Sequence, residues 1–289
     1  MRMFSKIKYL LPYGLVRFIQ RRRADTAEYA GDYETWQEAQ RYALGYDAPN
    51  IVAKVKASTQ EVIDGKALFE RDSVLFYQDD YNWPLLSAFG YLAAKLRGHL
   101  HVLDFGGALG STYWQNRKIL REIAPDLSWH VVEQQGFLDA AKTLHYDEPL
   151  FFHKSIEEAK KFSAINVVLF SSVLQYIDDW ESIINSIADV NFILIDRSPE
   201  FTEKMESQIM VQKVPASIYT ATYPARIFGK NHWRNSLQGI YDPILSWNSA
   251  DGTACTKDNG KRMNPMQYVG GLFCKIVKSH DSEQQYEEK

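Results

Sequence analysis

The spacing of hydrophobic and polar positions changes near residue 100 of this chain. Across residues 32–97, apolar side chains recur three or four positions apart, as at Ile51 and Val55, and no alternating pattern competes with that spacing. Such a period is typical of amphipathic helices that bury one face. We therefore expect a helical region there, with Asn82-Trp83-Pro84 forming the turn into its last helix.

After residue 100, short apolar runs alternate with helical stretches. Five runs are typical of strands, at Leu100–Phe105, Ser128–Val132, Phe151–Phe152, Ile165–Phe170 and Phe192–Ile195. Because these runs are apolar and alternate with helices, they predict a parallel sheet that is covered on both faces. Ligands bind beyond the carboxyl ends of the strands in such sheets, so the loops after these runs are the expected site.

The last part of the chain is less regular. It predicts extended segments at 208–214 and 217–223, a short helix at 231–237, and two strands, at 240–247 and 267–277, around a polar loop. We expect four regions along the chain, namely a basic leader at 1–23, a helical cover at 24–98, an α/β core at 99–200, and an acceptor-site insertion with terminal strands at 201–289.

Composition narrows the class of protein. The 289 residues are 45% hydrophobic and 24% charged, which excludes disorder and fits a globular protein. With 33 basic and 36 acidic residues, a protein that binds nucleic acid over a generally basic surface is not expected. The two cysteines, Cys255 and Cys274, are too few for a disulfide framework and wrongly spaced for a zinc site. We therefore predict a cytoplasmic protein without a metal.

The charge is unevenly distributed. Residues 1–23 carry seven cations and no acid, which leaves 26 basic against 36 acidic residues in the rest, a net charge of −10. The cations are interleaved with apolar residues, and no apolar run reaches the roughly 20 residues that cross a bilayer. One interpretation is an amphipathic helix in peripheral contact with an anionic membrane, at the inner face of the cytoplasmic membrane. The other is a helix packed on the body with its cations in solvent.

The stretch HVLDFGGALGS at 101–111 carries the clearest chemical signal. An apolar strand ends in an acid, and a turn of small residues leads into a helix; these residues are Asp104, Gly106, Gly107, Ala108 and Gly110. Glycines permit positive φ angles and a close approach of the backbone to a ligand. A carboxylate at this point would repel a pyrophosphate but attract a cationic ligand group.

A second acid, Glu133, ends the next predicted strand, where it is placed to accept hydrogen bonds from ribose hydroxyls. Together these features resemble the class I S-adenosylmethionine-dependent methyltransferases, whose first motif runs acid-x-Gly-x-Gly-x-Gly. Ala108 replaces the middle glycine, which is a mild departure. The resemblance implies a Rossmann-like α/β fold with a mostly parallel sheet and a C-terminal antiparallel strand pair, preceded here by the N-terminal helical region.

The resemblance also implies the cofactor S-adenosyl-L-methionine and its contacts. Asp104 and the glycine loop would face its amino acid and sugar, Glu133 its ribose, and Ser155 with Ile156 its adenine. Three residues after the fourth strand, Ser171, Ser172 and Gln175, would border the methionine part. Ordinary structural roles stay open for these three, since serines cap helices and a glutamine commonly lies at the surface.

A narrower resemblance is to a family of methyltransferases associated with bacterial surface-polysaccharide and lipopolysaccharide gene clusters. It covers nearly the whole chain from about Asp32 and rests on segments such as Phe69-Glu70-Arg71-Asp72-Ser73-Val74, Val211-Gln212-Lys213-Val214-Pro215 and Tyr223-Pro224. This resemblance implies methylation of a sugar or glycan precursor, or another small-molecule acceptor.

Methyl transfer to a hydroxyl needs alignment and a group that takes up the proton. His232, in the tail, and Asp196, after the fifth strand, are the candidate catalytic residues. A surface histidine, and a salt bridge or helix cap for the aspartate, are the alternatives. Arg71 is a candidate partner for a phosphate or carboxylate, and Tyr223 for a sugar ring.

Two other functions stay open. One is an NAD(P)-dependent sugar-nucleotide oxidoreductase on a Rossmann sheet, although Asp104 before the glycines and the lack of a G-x-G-x-x-G match argue against it. The other is a non-catalytic scaffold that retains a methyltransferase-like fold.

Overall fold

The structure is a computed structural model that describes residues 28–43, 49–146, 148–214, 221–258 and 261–276. The basic leader at 1–23 lies outside the described residues, and so does the membrane contact that it predicts. Within the described ranges, no helix has the length and apolar content needed to cross a lipid bilayer.

The described strands extend over most of the chain. They are β1 (Glu28–Tyr33), β2 (Phe69–Arg71), β3 (Val74–Phe76), β4 (His99–Phe105), β5 (Asp126–Val132), β6 (Leu150–His153), β7 (Val167–Ser171), β8 (Phe192–Phe201), β9 (Gln208–Lys213), β10 (Thr222–Ile227), β11 (Tyr241–Asp258) and β12 (Lys261–Lys275). All five strands that the sequence predicts are confirmed, as β4 to β8.

The helices fall mainly between these strands. They are α1 (Trp36–Gln40), α2 (Pro49–Ile63), α3 (Trp83–Lys95), α4 (Ser111–Ile123), α5 (Gln135–Ala141), α6 (Ile156–Phe162), α7 (Trp180–Ser186) and α8 (His232–Ser236), with a 3₁₀ turn at Leu174–Tyr176. The predicted turn into α3 is confirmed, with Asn82 at the N-cap and Pro84 in the first turn.

Ten of the described strands form one sheet, in the order β10-β9-β1-β11-β12-β8-β7-β4-β5-β6. Strands β4 to β8 are parallel to one another, and β12 pairs antiparallel with both β8 and β11. From β6 to β11 the sheet runs β6-β5-β4-β7-β8-β12-β11. With β4 to β8 numbered 1 to 5, and β11 and β12 numbered 6 and 7, this order is 3-2-1-4-5-7-6, in which β12 is the antiparallel strand inserted between β8 and β11. This is the Rossmann-like class I methyltransferase fold, with the predicted antiparallel pair and a largely helical N-terminal region.

The apolar runs of the central strands are explained by burial on both faces of the sheet. Val102 packs on the side of α3 and α4, whereas the next residue, Leu103, packs on the side of α6 and α7. Leu194 and Ile193 of β8 divide between the two sides in the same way. Since successive side chains of a strand point to opposite faces, both faces must be apolar.

The helical region before residue 98 also contains strands that the sequence pattern did not predict, namely β1 and the β2–β3 hairpin. The sequence of β1, EYAGDY, contains two acids and a glycine, and Tyr29 is the residue of this strand that is buried. Its strand conformation depends on pairing with β9 and, at Ala30, with β11. Those partners lie at the other end of the chain, so the local pattern does not contain this signal.

The tail confirms the predicted strand at 208–214 and the short helix at 231–237. The polar loop expected after residue 247 is wrong, because β11 continues to Asp258 and β12 begins at Lys261. The first part of β12 pairs with the second half of β8, for example Met266 with Phe201. Part of the extended segment predicted at 217–223 lies outside the described residues, and β10 begins at Thr222.

Candidate functional site

A cavity of about 1180 Å³ opens at the carboxyl ends of the parallel strands. The loops that follow β4, β5, β6 and β7 form one side of it, together with Arg197 of β8. Strands β1, β9, β10, β11 and β12 contribute the opposite side. Ligand pockets commonly measure about 300–1,000 Å³, so this cavity has room for more than one ligand.

The loop between β4 and α4 requires small residues. Gly106 has a φ of +70°, and a Cβ there would lie 2.4 Å from Cγ2 of Val173. A Cβ on Gly107 would lie 2.5 Å from Oδ2 of Asp104. Ala108 also adopts a positive φ, of +51°, so the departure from the glycine motif changes the side chain but is accommodated by the loop. The last motif glycine, Gly110, is the N-cap of α4.

Asp104 is the second-to-last residue of β4 and is 1% exposed. Its Oδ2 accepts a 3.0 Å hydrogen bond from Nε1 of Trp129, whereas its Oδ1 has no hydrogen-bond partner among the described residues. Burial raises the pKa of the carboxyl to about 7, and the nearby Glu133 carboxylate acts in the same direction. A buried oxygen without a partner is costly, and a cationic donor from a ligand would satisfy it.

Glu133 directly follows β5 and lines the same cavity. Its Oε1 accepts the backbone N–H of Ala108 at 3.0 Å, and its Oε2 accepts that of Gln134 at 2.8 Å. A carboxylate has about four lone-pair sites, so Glu133 holds the glycine loop and can still accept from ligand hydroxyls. The structure therefore brings the two predicted acids to one cavity.

The predicted adenine contacts also lie on this cavity. Ser155 and Ile156 line it at the start of α6. The Ser155 hydroxyl accepts the backbone N–H of Glu158 at 3.2 Å, which makes Ser155 the N-cap of that helix. Its side chain therefore has a structural role at the position where the sequence predicts a ligand contact.

The segment after β7 is partly as expected. Ser171 and Ser172 line the cavity, and Ser172 adopts a φ of +57°. Gln175 is fully buried and does not line it; its Nε2 donates to Oγ of Ser172 at 3.0 Å, while its Oε1 has no partner among the described residues. The glutamine thus supports Ser172 from behind.

The structure brings neither predicted catalytic residue to the wall of the cavity. Asp196 is fully buried, and its carboxylate accepts hydrogen bonds from three side chains, Asn82 at 2.7 Å, Trp247 at 2.8 Å and Ser249 at 2.9 Å. His232 lies at the start of α8, where its ring bonds the Ser207 hydroxyl. This geometry favours a positioning role for the aspartate and does not favour His232 as a proton acceptor.

Asp196 borders a second, small recess of about 10 Å³ beside the main cavity. Arg71 and Arg197 line both spaces, together with Ser111 and Thr112 at the start of α4. Nε of Arg197 lies 3.4 Å from Oγ of Ser171. Two guanidinium groups beside a helix N-terminus form an environment that suits a carboxylate or a phosphate.

Sequence reasoning missed Glu70 and Arg197 as cavity residues. Glu70 is fully buried, accepts from the hydroxyl of Ser111 and from the backbone N–H of Ser73 at 3.1 Å, and burial raises its pKa to about 7. It therefore joins the β2–β3 hairpin to the start of α4. A buried charged side chain within a short strand leaves no periodic signal, although Arg197 lies next to Asp196 in the loop expected after the fifth predicted strand.

The described residues contain no group of three or more side chains placed to hold a metal ion.

The chain matches no protein-family profile and no curated protein sequence. It is similar in fold to the N-terminal domain of EvdMO1 with S-adenosylhomocysteine bound, at a TM-score of 0.42 and 10% identity over 77% of this chain and 97% of that one. For human N-acetylserotonin methyltransferase in complex with S-adenosylmethionine, the TM-score is 0.42 and the identity 14%, over 80% of this chain and 58% of that one. For an O-methyltransferase family 2 protein from Planctomyces limnophilus in complex with apigenin, the TM-score is 0.41 and the identity 12%, over 78% of this chain and 62% of that one.

The chain thus spans less than two thirds of the human and the Planctomyces proteins. Identities and TM-scores this low do not carry an activity or a substrate over to this chain. The assignment of the fold rests on the strand order and on the inserted antiparallel strand.

Proposed function

We propose that this protein is an S-adenosyl-L-methionine-dependent methyltransferase that transfers a methyl group to a hydroxyl of a sugar or glycan precursor. The observation that carries the proposal is the pair of acids at the ends of β4 and β5. Both border one cavity, and Oδ1 of Asp104 is a buried acceptor without a partner in the described part of the chain.

The lining residues fit the charges and polar groups of this cofactor. Asp104 would accept from its ammonium group, Glu133 from its ribose hydroxyls, and Ser155 with Ile156 would border its adenine. Ser171 and Ser172 would border the methionine chain, with Gln175 supporting Ser172 from behind. Arg71 and Arg197, which also line the main cavity, would bind its carboxylate there. When bound, the cofactor would supply a methyl group on a positively charged sulfur: the acceptor oxygen would bond to that carbon, the carbon–sulfur electron pair would stay with sulfur, and the hydroxyl proton would pass to solvent.

The task of the chain is then to align the acceptor and to exclude water. Asp196 would contribute indirectly. It is held by Asn82 of the α3 N-cap and by Trp247 and Ser249 of β11, and the same Ser249 hydroxyl accepts the backbone N–H of Arg197 at 3.1 Å. These bonds would fix the direction in which Arg197 enters the cavity.

The strand order argues against the oxidoreductase. Dinucleotide-binding sheets of the common order 3-2-1-4-5-6 are all parallel, whereas here an antiparallel strand lies next to β8. Asp104 is also unfavourable beside a pyrophosphate.

Thermal unfolding with added ligands tests the proposal. S-adenosylhomocysteine should raise the melting temperature while NADP should not, because a ligand stabilises only a protein that binds it. Asp104→Asn removes one charge but keeps an acceptor for Trp129, and it should lower the affinity for S-adenosylhomocysteine at least about tenfold. The exposed Asp139→Asn is the matched control. Equal affinity in both variants would contradict the assignment of Asp104.

Transfer of a labelled methyl group separates the enzyme from the scaffold. The wild-type protein, incubated with labelled cofactor and extracts of surface glycans and nucleotide-sugar precursors, should produce a labelled sugar. Binding of S-adenosylhomocysteine without any labelled product would favour the non-catalytic scaffold.

A further inference from the structure

Three side chains lie side by side on strands β1, β9 and β10, where these strands line the cavity. Gln212 of β9 is the cross-strand partner of Tyr29 on β1 and of Tyr223 on β10. Directly paired residues point to the same face of a sheet, and all three line the cavity. Each is buried, with exposures of 1% for Tyr29, 8% for Gln212 and 6% for Tyr223. We call these three residues the polar row.

Two further tyrosines bond to the polar row. Tyr176, in the 3₁₀ turn after β7, donates its hydroxyl to Oε1 of Gln212 at 2.6 Å and packs edge-on against Tyr223. The hydroxyls of Tyr29 and Tyr268 are 2.8 Å apart. The bond from Tyr176 determines which Gln212 amide atom accepts, so Nε2 is the donor that a ligand oxygen would meet.

Charge divides the cavity into two halves. The described lining residues that come from β1, β9, β10, β11 and β12 carry no charge, whereas the opposite half contains Asp104, Glu133 and Arg71. The zwitterionic cofactor belongs with the charged half. The uncharged half must therefore recognise its ligand by hydroxyl and amide hydrogen bonds and by contact with tyrosine rings.

We propose that the polar row, with Tyr176 and Tyr268, is the acceptor subsite and that it takes an uncharged, hydroxyl-bearing ring such as a neutral sugar residue. This inference rests on the proposed function and specifies its acceptor. A ring of this kind offers both apolar C–H faces for the tyrosine rings and hydroxyls for the amide and phenol groups. A site built from buried polar groups rejects a ligand that leaves them unpaired.

Saturation-transfer NMR tests the subsite directly, with the methyl glycosides of glucose, galactose and mannose as probes. Spectra are recorded with and without S-adenosylhomocysteine. The flat phenol apigenin and the charged sugar glucose 1-phosphate are the comparison ligands. Gln212→Leu removes the amide at similar volume, and Tyr176→Phe removes only a hydroxyl. Tyr91→Phe, on the outer part of α3, is the matched control.

We expect at least one neutral glycoside to bind, about tenfold more weakly in Gln212→Leu and in Tyr176→Phe, with S-adenosylhomocysteine affinity unchanged in both. Tyr176→Phe keeps the test available if Gln212→Leu unfolds. The inference is overturned if no glycoside binds, if both variants bind as well as the control, or if apigenin or the phosphate binds more tightly than every glycoside. A protein that binds glycosides but not S-adenosylhomocysteine would instead contradict the proposed function.

Discussion

Two buried aspartates, Asp104 near the end of β4 and Asp196 within β8, differ in how their carboxylates are satisfied. Asp196 accepts three side-chain hydrogen bonds, whereas Asp104 accepts one, and one of its oxygens has no partner among the described residues. A fully bonded carboxylate stabilises the fold, while an unsatisfied one at a cavity is available to a ligand. Both aspartates lie near the end of an apolar run in the sequence, so their sequence position alone does not separate these two cases.

The raised pKa of Asp104 predicts how the stability of the ligand-free protein depends on pH. Its folded-state pKa of about 7 exceeds the usual aspartate pKa of 3.8, so the folded protein binds more protons than the unfolded chain between these pH values. The free energy of unfolding should therefore fall as pH rises from about 4 to 7. Glu70 acts in the same direction.

Urea unfolding across this pH range provides the measurement. Asp104→Asn should reduce the slope of stability against pH and Glu70→Gln should reduce it separately, whereas Asp139→Asn, at the surface, should not. Affinity for S-adenosylhomocysteine should increase over the same range, because the ligand ammonium favours the ionised Asp104. An unchanged slope in Asp104→Asn would contradict the raised pKa.

Asp196→Asn distinguishes a structural aspartate from a catalytic base. The new amide would place an N–H against donors from Asn82, Trp247 and Ser249, so we expect a loss of about 1–3 kcal/mol in the free energy of unfolding. Urea denaturation measures it, again with Asp139→Asn as the control. A variant of wild-type stability that has lost all methyl transfer would instead support a direct catalytic role.

At the scale of elements, the loop between β4 and α4 depends on the segment that follows β7. The side chain of Val173 occupies the space that a Cβ at Gly106 would need, and Glu133 after β5 accepts the backbone N–H of Ala108. The binding loop is thus shaped by residues from two other strand ends. A motif search detects the glycines but not these neighbours.

Gly106→Ala tests this dependence, with Gly65→Ala as the matched control. Both glycines have positive φ, +70° and +73°, but a Cβ at Gly65 meets nothing within 4 Å. The control should lose about 1–2 kcal/mol from backbone strain alone. Gly106→Ala must also displace Val173, so it should lose more stability and weaken S-adenosylhomocysteine, as measured by urea unfolding and calorimetry. Equal losses in both variants would refute the steric argument.

At the scale of the whole molecule, the sheet joins two unlike halves. The parallel half presents the charged end of the cavity, and the antiparallel half, which includes β1 from the start of the described chain, presents the uncharged end. The net charge divides as well, with seven cations in residues 1–23 and a net of −10 in the remainder.

The leader predicts salt-dependent binding to anionic membranes. Each cation close to such a surface contributes about 1 kcal/mol. The full chain should sediment with phosphatidylserine liposomes at low salt, and a chain that lacks residues 1–23 should not. Neutral liposomes are the control. Equal sedimentation of both chains, or none of the full chain, would favour a leader that packs on the body.

The sequence predicted the five central strands, the helices between them, the two acids and the glycine loop. These signals are local: burial on both faces requires uninterrupted apolar runs, and a tight turn requires small residues. The sequence could not predict that the two candidate bases lie outside the cavity wall. The hydrogen bonds that Asp196 accepts and the position of His232 beside Ser207 depend on residues remote in the chain.

The tertiary structure alone decided the other half of the site. The polar row joins Tyr29, Gln212 and Tyr223, which come from opposite ends of the described chain and meet through strand pairing. The strand β1 forms because its edges find partners, and not because its own sequence is strongly apolar. The sequence by itself therefore determined the half of the cavity that holds the two acids and the glycine loop, where burial and turn geometry are encoded locally, whereas long-range pairing determined the uncharged half.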